Sequence, residues 1–293
     1  MVLCRRGKWE HARGDPPRLL LLLLPPIENL HQPPPSSSSS TMDAVRSCCG
    51  ALAVLALVIA VHLVPASGAN WEEYDGSLAS NQDVILRTHN EVRRNVMPSA
   101  ANMLRMEWST AAQASALEWV QTCNFFHRTT EQLDFDGIPS GENILFSNTL
   151  YPWDEAIKVW VDEVNNPGFD YGKGLRNPGI VGHYTQVIWY STYQVGCAIN
   201  YCPEKAYKYM YLCEYRPTGN WNNRLTKPYD EGPSCQDCPN DCDDKLCTNP
   251  CPYLDNYINC WLMKMILGCG TTFYGQYTMT HCPATCQCTN RIH

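Results

Sequence analysis

The stretch "GHYTQVIWYSTYQVGCAINYC", Gly182 to Cys202, carries the first reading of the fold. Thr185, Val187 and Trp189 alternate with Tyr184, Gln186, Ile188 and Tyr190, the period of two expected of a strand whose two faces meet different environments. His183 stands at its head. "VGCAINYC" reads as a second strand, and "AYKYMYLCEY", with Tyr207, Tyr209 and Tyr211 set against Lys208, Met210 and Leu212, as a third. Strands in succession predict a mostly antiparallel meander.

Upstream the period changes to that of helices. "SNQDVILRTHNEVRRNVMP" places Ser80 and Asp83 at capping-box spacing and ends before Pro98. "STAAQASALEWVQTC" is alanine-rich, with the Ser109 hydroxyl as cap. "YPWDEAIKVWVDEVNN" has Pro152 in the first turn, Asp154 and Glu155 near the positive end, and Ile157, Trp160, Val161 and Val164 on one face. Helices first and strands later predict an α+β layer structure.

The cysteines divide the chain. Four lie between Asn70 and Gly232 (Cys123, Cys197, Cys202 and Cys213), and ten between Cys235 and Cys288. The shift puts a boundary in "KPYDEGPSC", Lys227 to Cys235, where proline and glycine supply linker chemistry. The last 59 residues are too few to hold together without staples.

Residues 1–41 combine scattered arginines, six leucines from Leu19 to Leu24, Pro33 to Pro35 and Ser36 to Ser40, a low-complexity extension with no periodic face. From Met42 onward, Arg46, an apolar run from Ala51 to Val61 and the small residues Ala66 to Ala69 read as a secretory signal peptide over 42–69, too short for a membrane span. Translation is therefore expected to start at Met42 and the mature chain near Asn70. Of 17 cysteines, Cys4, Cys48 and Cys49 lie before that point, leaving 14, an even set suited to seven bridges in an oxidising compartment. From Asn70 the chain holds 16 basic and 25 acidic residues, about −9, which argues against nucleic acid or anionic membrane as the main partner. No second apolar stretch approaches the roughly 20 residues of a spanning helix, so a soluble, secreted, extracellular product is expected.

Three segments together, "GHYTQVIWYSTYQVGCAINYC", "YLCEYRPTGNW" and "SGENI", with "HNEVRR" at His89 to Arg94, resemble the CAP superfamily of cysteine-rich secretory proteins, antigen 5 and pathogenesis-related proteins. "CQDCPNDCDDKLCTNPC" and "CPATCQC" resemble the hinge and cysteine-rich domain of the cysteine-rich secretory protein (CRISP) subfamily. The resemblance implies an α-β-α sandwich, the CAP/SCP domain, over 70–232, a hinge over 233–250 and a ShKT-like cysteine-rich helical domain over 251–288. It also implies the pairings Cys123–Cys202, Cys197–Cys213, Cys235–Cys242, Cys238–Cys247, Cys251–Cys288, Cys260–Cys282 and Cys269–Cys286. Most of the subfamily carries one further bridge; here Ser140 and Arg216 stand at its two positions, so both halves are missing.

Four polar residues match the tetrad of that family: His127, Glu142, Glu163 and His183. Their spacing fits no local metal motif. By resemblance they form a weak, reversible divalent-ion site, zinc being the first choice for nitrogen and oxygen ligands; the alternative is a hydrogen-bonded cluster in which the carboxylates orient the imidazoles. No nucleophile motif accompanies them, so no catalytic residue is assigned and an enzyme is not expected; proteolysis is the less favoured alternative. The resemblance implies a secreted regulator acting on an ion channel or other cell-surface protein, in reproduction or as a gland secretion. The candidate surface is Tyr253, Tyr257, Phe273, Tyr274 and Tyr277 with Met263 and Met265. Residues 235–293 hold three basic against five acidic side chains, which disfavours a basic pore plug. The competing partner is a sterol or lipid in a groove lined by Trp153 and Trp160.

Overall fold

The structure, a computed structural model, describes residues 70–134 and 137–293; the expected extension and signal peptide fall outside the described residues. In chain order the helices are α1 Ala79–Arg94, α2 Thr110–Gln121, α3 Thr130–Leu133, α4 Trp153–Val161, α5 Gly182–Val187, α6 Cys260–Leu267, α7 Phe273–His281 and α8 Pro283–Gln287. The strands are β1 Glu107–Trp108, β2 Gly141–Ser147, β3 Phe169–Asp170, β4 Gly174–Leu175, β5 Gln194–Tyr201, β6 Tyr209–Arg216, β7 Cys242–Asp243 and β8 Leu246–Cys247. The central sheet runs β1-β5-β6-β2, with β5–β6 and β2–β6 antiparallel and β1 parallel to β5. Helix α2 covers one face; α1, α4 and α5 cover the other. This is the expected α-β-α sandwich.

Strand β6 shows why the sheet sits in the middle. All eight of its residues are buried. Tyr209, Tyr211, Cys213 and Tyr215 join the core under α1 and α4, with Ile85, Trp153, Ile157 and Trp160. Met210 and Leu212 join the core under α2, with Ala116 and Val120. The alternation therefore separates two cores rather than core from water. Gly196 on β5 lets α2 lie close, since a Cβ there would stand 2.1 Å from the backbone nitrogen of Gln113.

The helix starts divide. Ser109 caps α2, accepting from the Ala112 N–H, and Pro152 immediately precedes α4. The capping box expected at Ser80 and Asp83 does not form, because α1 begins at Ala79 behind Leu78, two residues earlier than a Ser80 cap would place it. Its start is held instead by Asn81, donating to the Glu73 and Asp75 carbonyls, and by Gln82, donating to Gly76.

The larger correction concerns "HYTQVIWY". Residues Gly182–Val187 are helical, and only Gln194 onward is strand. Tyr184, Thr185, Gln186 and Val187 are all buried, so no exposed face gave the alternation a meaning. Contacts from elsewhere impose the helix. Glu163 accepts from the backbone N–H groups of His183 and Tyr184 at its start. At its end Arg93, 1 % exposed, donates to the carbonyl oxygens of Leu104, Val187, Trp189, Tyr190 and Thr192. Burial pushes that guanidinium down to about 9.

The segment expected to be a linker is packed. Tyr229 is buried and donates to the Pro98 carbonyl, and Asp230 and Asn102 exchange hydrogen bonds. The cysteine-rich stretch beyond it docks by backbone bonds, Cys247 N–H to the Met103 carbonyl and Arg105 N–H to the Cys247 carbonyl. Leu104, Cys235, Cys238, Cys247 and Ile292 form a small core at that seam. Among the described residues seven disulfides stand: Cys123–Cys202, Cys197–Cys213, Cys235–Cys242, Cys238–Cys247, Cys251–Cys288, Cys260–Cys282 and Cys269–Cys286. In the last module they substitute for apolar burial, where Cys251, Ala284 and Cys288 make up the buried cluster.

Candidate functional site

The four tetrad residues come from four different places. His127 lies in the loop after α2, whose course is fixed by the Cys123–Cys202 bridge and by Trp119 Nε1–H donating to the Phe126 carbonyl. Glu142 is the second residue of β2, following Gly141, where a Cβ would stand 2.3 Å from Gln186 Oε1. Glu163 lies beyond the end of α4, in the 3₁₀ turn Asp162–Val164. His183 is in the first turn of α5.

The structure arranges them as two pairs. His127 Nδ1 is 3.1 Å from Glu142 Oε2, and His183 Nδ1 is 2.6 Å from Glu163 Oε1. A carboxylate only accepts, so each Nδ1 carries a proton toward its glutamate, and in a neutral ring Nε2 is then the nitrogen with the free lone pair. No three of the four residues bring ligand atoms within 4.8 Å of one another. The carboxylates thus serve as orienters, the outer-shell arrangement of many histidine metal sites. In that geometry His127 and His183 would hold an ion through Nε2, and Glu142 and Glu163 would orient them. The pairs differ in setting: the His127 side chain is 59 % exposed while that of Glu142 is buried, and His183 and Glu163 are both largely covered.

Around Glu142 lies a charged cluster. Arg128 Nε donates to Glu142 Oε1 at 2.7 Å, its backbone N–H to Oε2 at 3.1 Å, and Nη2 to Glu214 Oε2 at 2.6 Å. Burial pushes the Glu142 carboxyl up, but the His127 bond and the Arg128 charge and bonds outweigh it, leaving it below its ordinary value. For Glu214 burial wins and raises it. On the opposite side, His89 is fully buried between the Ile85 carbonyl and the Tyr215 hydroxyl, and Asn143 donates both to that hydroxyl and to the His183 carbonyl. This chain of bonds joins α1, β6, β2 and α5 beneath the His183 pair.

Comparisons with known proteins place the chain in a family. Residues 86–215 match the CAP model, described as the cysteine-rich secretory protein family, and residues 235–293 match the Crisp model. The chain is 46 % identical over 214 residues to Cysteine-rich secretory protein 3 of Homo sapiens, covering 72 % of this chain and 84 % of that protein. The chain belongs to the cysteine-rich secretory protein family. It is also 42 % identical over 245 residues to Cysteine-rich venom protein helothermine of Heloderma horridum horridum, covering 82 % and 99 % of the two chains. A solved structure, "Crystal structure of NaASP2 with Zn2+", is similar over 58 % of this chain and 96 % of its own, at 26 % identity and a TM-score of 0.49.

For this family member, two other clusters bring metal-type ligand atoms together, Cys235 with Cys238 and Cys247, and Asp255 with Cys260 and Cys282. Every sulfur in them is bonded in a disulfide, and a disulfide sulfur is not a thiolate ligand. Trp153 and Trp160, expected to line a groove, are core residues 1 % exposed. A groove of about 430 Å³ lies instead between α1 and the end of α4, lined by Val92, Val96, Met97, Val161, Val164 and Tyr184 among others. Sequence reasoning missed Arg128 and Glu214. The one signal for them was an arginine beside His127 and a glutamate in the otherwise apolar "YLCEY".

The last module shows a second surface. Tyr253, Tyr257, Phe273, Tyr274, Tyr277 and Met265 are exposed, as expected of them, and Met263 is half-buried. Trp261 at 65 %, with Ile258 and Ile266, joins the exposed set. Lys264 is spent on the Thr285 carbonyl. No helix among the described residues is long and apolar enough to cross a membrane.

Proposed function

We propose that this chain is a secreted, non-catalytic binding protein whose disulfide-stapled C-terminal module engages a membrane protein, an ion channel first among the candidates. The observation that carries this reading is the exposed set Trp261, Met265, Ile266, Phe273 and Tyr274 on a module too small to bury it. Aromatic side chains held on a rigid scaffold are the anchors of protein interfaces. The family and its venom relative support an extracellular role. The reading includes cleavage of a signal peptide near Asn70, a CAP domain to about Gly232, a hinge to about Pro250 and a ShKT-like domain beyond. Electrical recording with the intact protein tests it: a current change that Trp261→Ala with Phe273→Ala abolishes supports it, and no effect across a broad channel panel rejects it.

In the same reading the two His–Glu pairs are a weak, reversible zinc site. Zinc would supply a cross-link between the His127 loop and α5. The chain's own residues do the rest: the glutamates hold both rings with Nε2 outward. No hydroxyl or thiol nucleophile motif accompanies them in the sequence, so hydrolysis is not assigned.

A second reading, carriage of a sterol or other lipid, is favoured by the groove between α1 and α4, whose volume falls in the usual ligand range of about 300–1,000 Å³. Binding of labelled sterol that a bulky Val164→Trp substitution abolishes would establish it; equal binding by both forms would remove the groove from consideration.

A further inference from the structure

Arg128 makes contacts with both α2 and the central sheet around the exposed histidine. Its guanidinium donates to Ser115 Oγ on α2 at 2.6 Å, to Glu142 on β2 at 2.7 Å and to Glu214 on β6 at 2.6 Å. It also lies over the Trp119 ring of α2 at 5.9 Å. Its side chain is 7 % exposed. Glu142 and Glu214 are direct cross-strand partners in the β2–β6 register, where like charges repel. A single guanidinium set between them offsets that repulsion and fixes which oxygen of Glu142 remains for His127. Nε takes Oε1, so Oε2, already bonded to the Arg128 N–H, is the oxygen that meets His127 Nδ1.

The cluster also sits where the family's additional bridge is missing. Ser140 precedes Gly141 and Glu142, and Arg216 lies two residues past Glu214. At that end of the β2–β6 pair, the Arg128 bonds tie the His127 loop to the sheet, in addition to the Cys123–Cys202 bridge.

We propose that Arg128 is a positioning residue: by forking between Glu142 and Glu214 it orients Glu142 so that the His127 ring is held as the Nδ1–H tautomer with Nε2 outward. Glu214 is the counter-anchor that keeps the guanidinium in that fork, and Ser115 fixes its far end. The inference rests on reading His127 as a ring poised for a cation, but its readout needs no metal. Failure of zinc to bind would count against that reading alone.

The test is nitrogen-15 NMR of the imidazoles in the metal-free, full-length protein, comparing wild type with Arg128→Met and Arg128→Lys. In spectra taken at a pH where the ring is neutral, wild type is expected to show one protonated and one unprotonated nitrogen for His127, with Nδ1 protonated. Arg128→Met should average the two nitrogens, as should the control Glu142→Gln, while the His183 pattern, set by Glu163, stays unchanged and reports an intact fold. Should the methionine variant not fold, Arg128→Lys decides, because one ammonium cannot replace the fork and should also average His127. A purely structural role would lower stability while leaving the single tautomer. An unchanged His127 pattern in a folded variant of either kind overturns the proposal.

Discussion

Glu163 and His183 hold each other through both side chain and backbone. Oε1 of the carboxylate meets the ring Nδ1 at 2.6 Å, while Oε2 accepts from the backbone N–H groups of His183 and Tyr184 at 3.0 Å each. The carboxylate that orients the imidazole is thus also the cap of the helix that carries it. Glu163→Ala should cost about 1–2 kcal/mol of stability through the lost cap. It should also weaken zinc binding about 10–100-fold through the lost orientation. Urea unfolding and zinc titration on the same variant check both; a loss of one without the other breaks the link.

Arg93 is predicted to matter more for stability than any charge at the site. Its carbonyl partners are buried, and an orphaned buried acceptor costs about 1–3 kcal/mol. Arg93→Met should therefore destabilise by at least about 3 kcal/mol, and Arg93→Lys should recover only part of that, because one ammonium lacks the reach of the fork. Urea midpoints of the two variants give the answer. A methionine variant within about 1 kcal/mol of wild type would show that the carbonyls find other donors.

Stability should fall on mild acidification, with His89 as a main cause. Burial pushes that imidazole down to about 4 from an ordinary 6.5. Between those values the unfolded chain binds a proton that the folded chain refuses, so stability is full above about 6.5 and declines as pH falls toward 4. The decline attributable to His89 is roughly 3 kcal/mol across that window. Unfolding curves from pH 7 to 4, with His89→Gln alongside, separate its share: the variant should show a flatter pH dependence.

What the sequence alone could reveal follows from which residues carry local information. Ser109, Pro152 and the stripe of Ile157 and Trp160 mark α2 and α4 by themselves, because caps and one apolar face are short-range patterns. The tyrosines of β6 mark a strand for the same reason. Helix α5 was not legible: Tyr184 to Val187 are all buried, and what makes the segment helical is Glu163 at one end and Arg93 at the other, far away in sequence. The site was hidden in a similar way. Glu142 and Glu214 meet through strand register, and the partners of Arg128 on α2, β2 and β6 lie 13, 14 and 86 residues from it. Nothing local says that one arginine serves two glutamates, or that the tetrad divides into two oriented rings. The segment Lys227 to Cys235 is likewise docked where a linker was expected, its Asp230 and Gly232 bonded to the Ala101 and Ser99 backbone, because Pro and Gly there shape turns without freeing the chain.

The central claim is that the exposed face of the C-terminal module, and not the His–Glu pairs, contacts a membrane partner. Whole-cell current recording with the intact protein on a panel of ion channels tests it most directly. Wild type should alter at least one current reversibly; Trp261→Ala with Phe273→Ala should abolish the effect, and His127→Ala with His183→Ala should keep it. No effect across the panel, or an effect that survives the aromatic substitutions, would contradict the account.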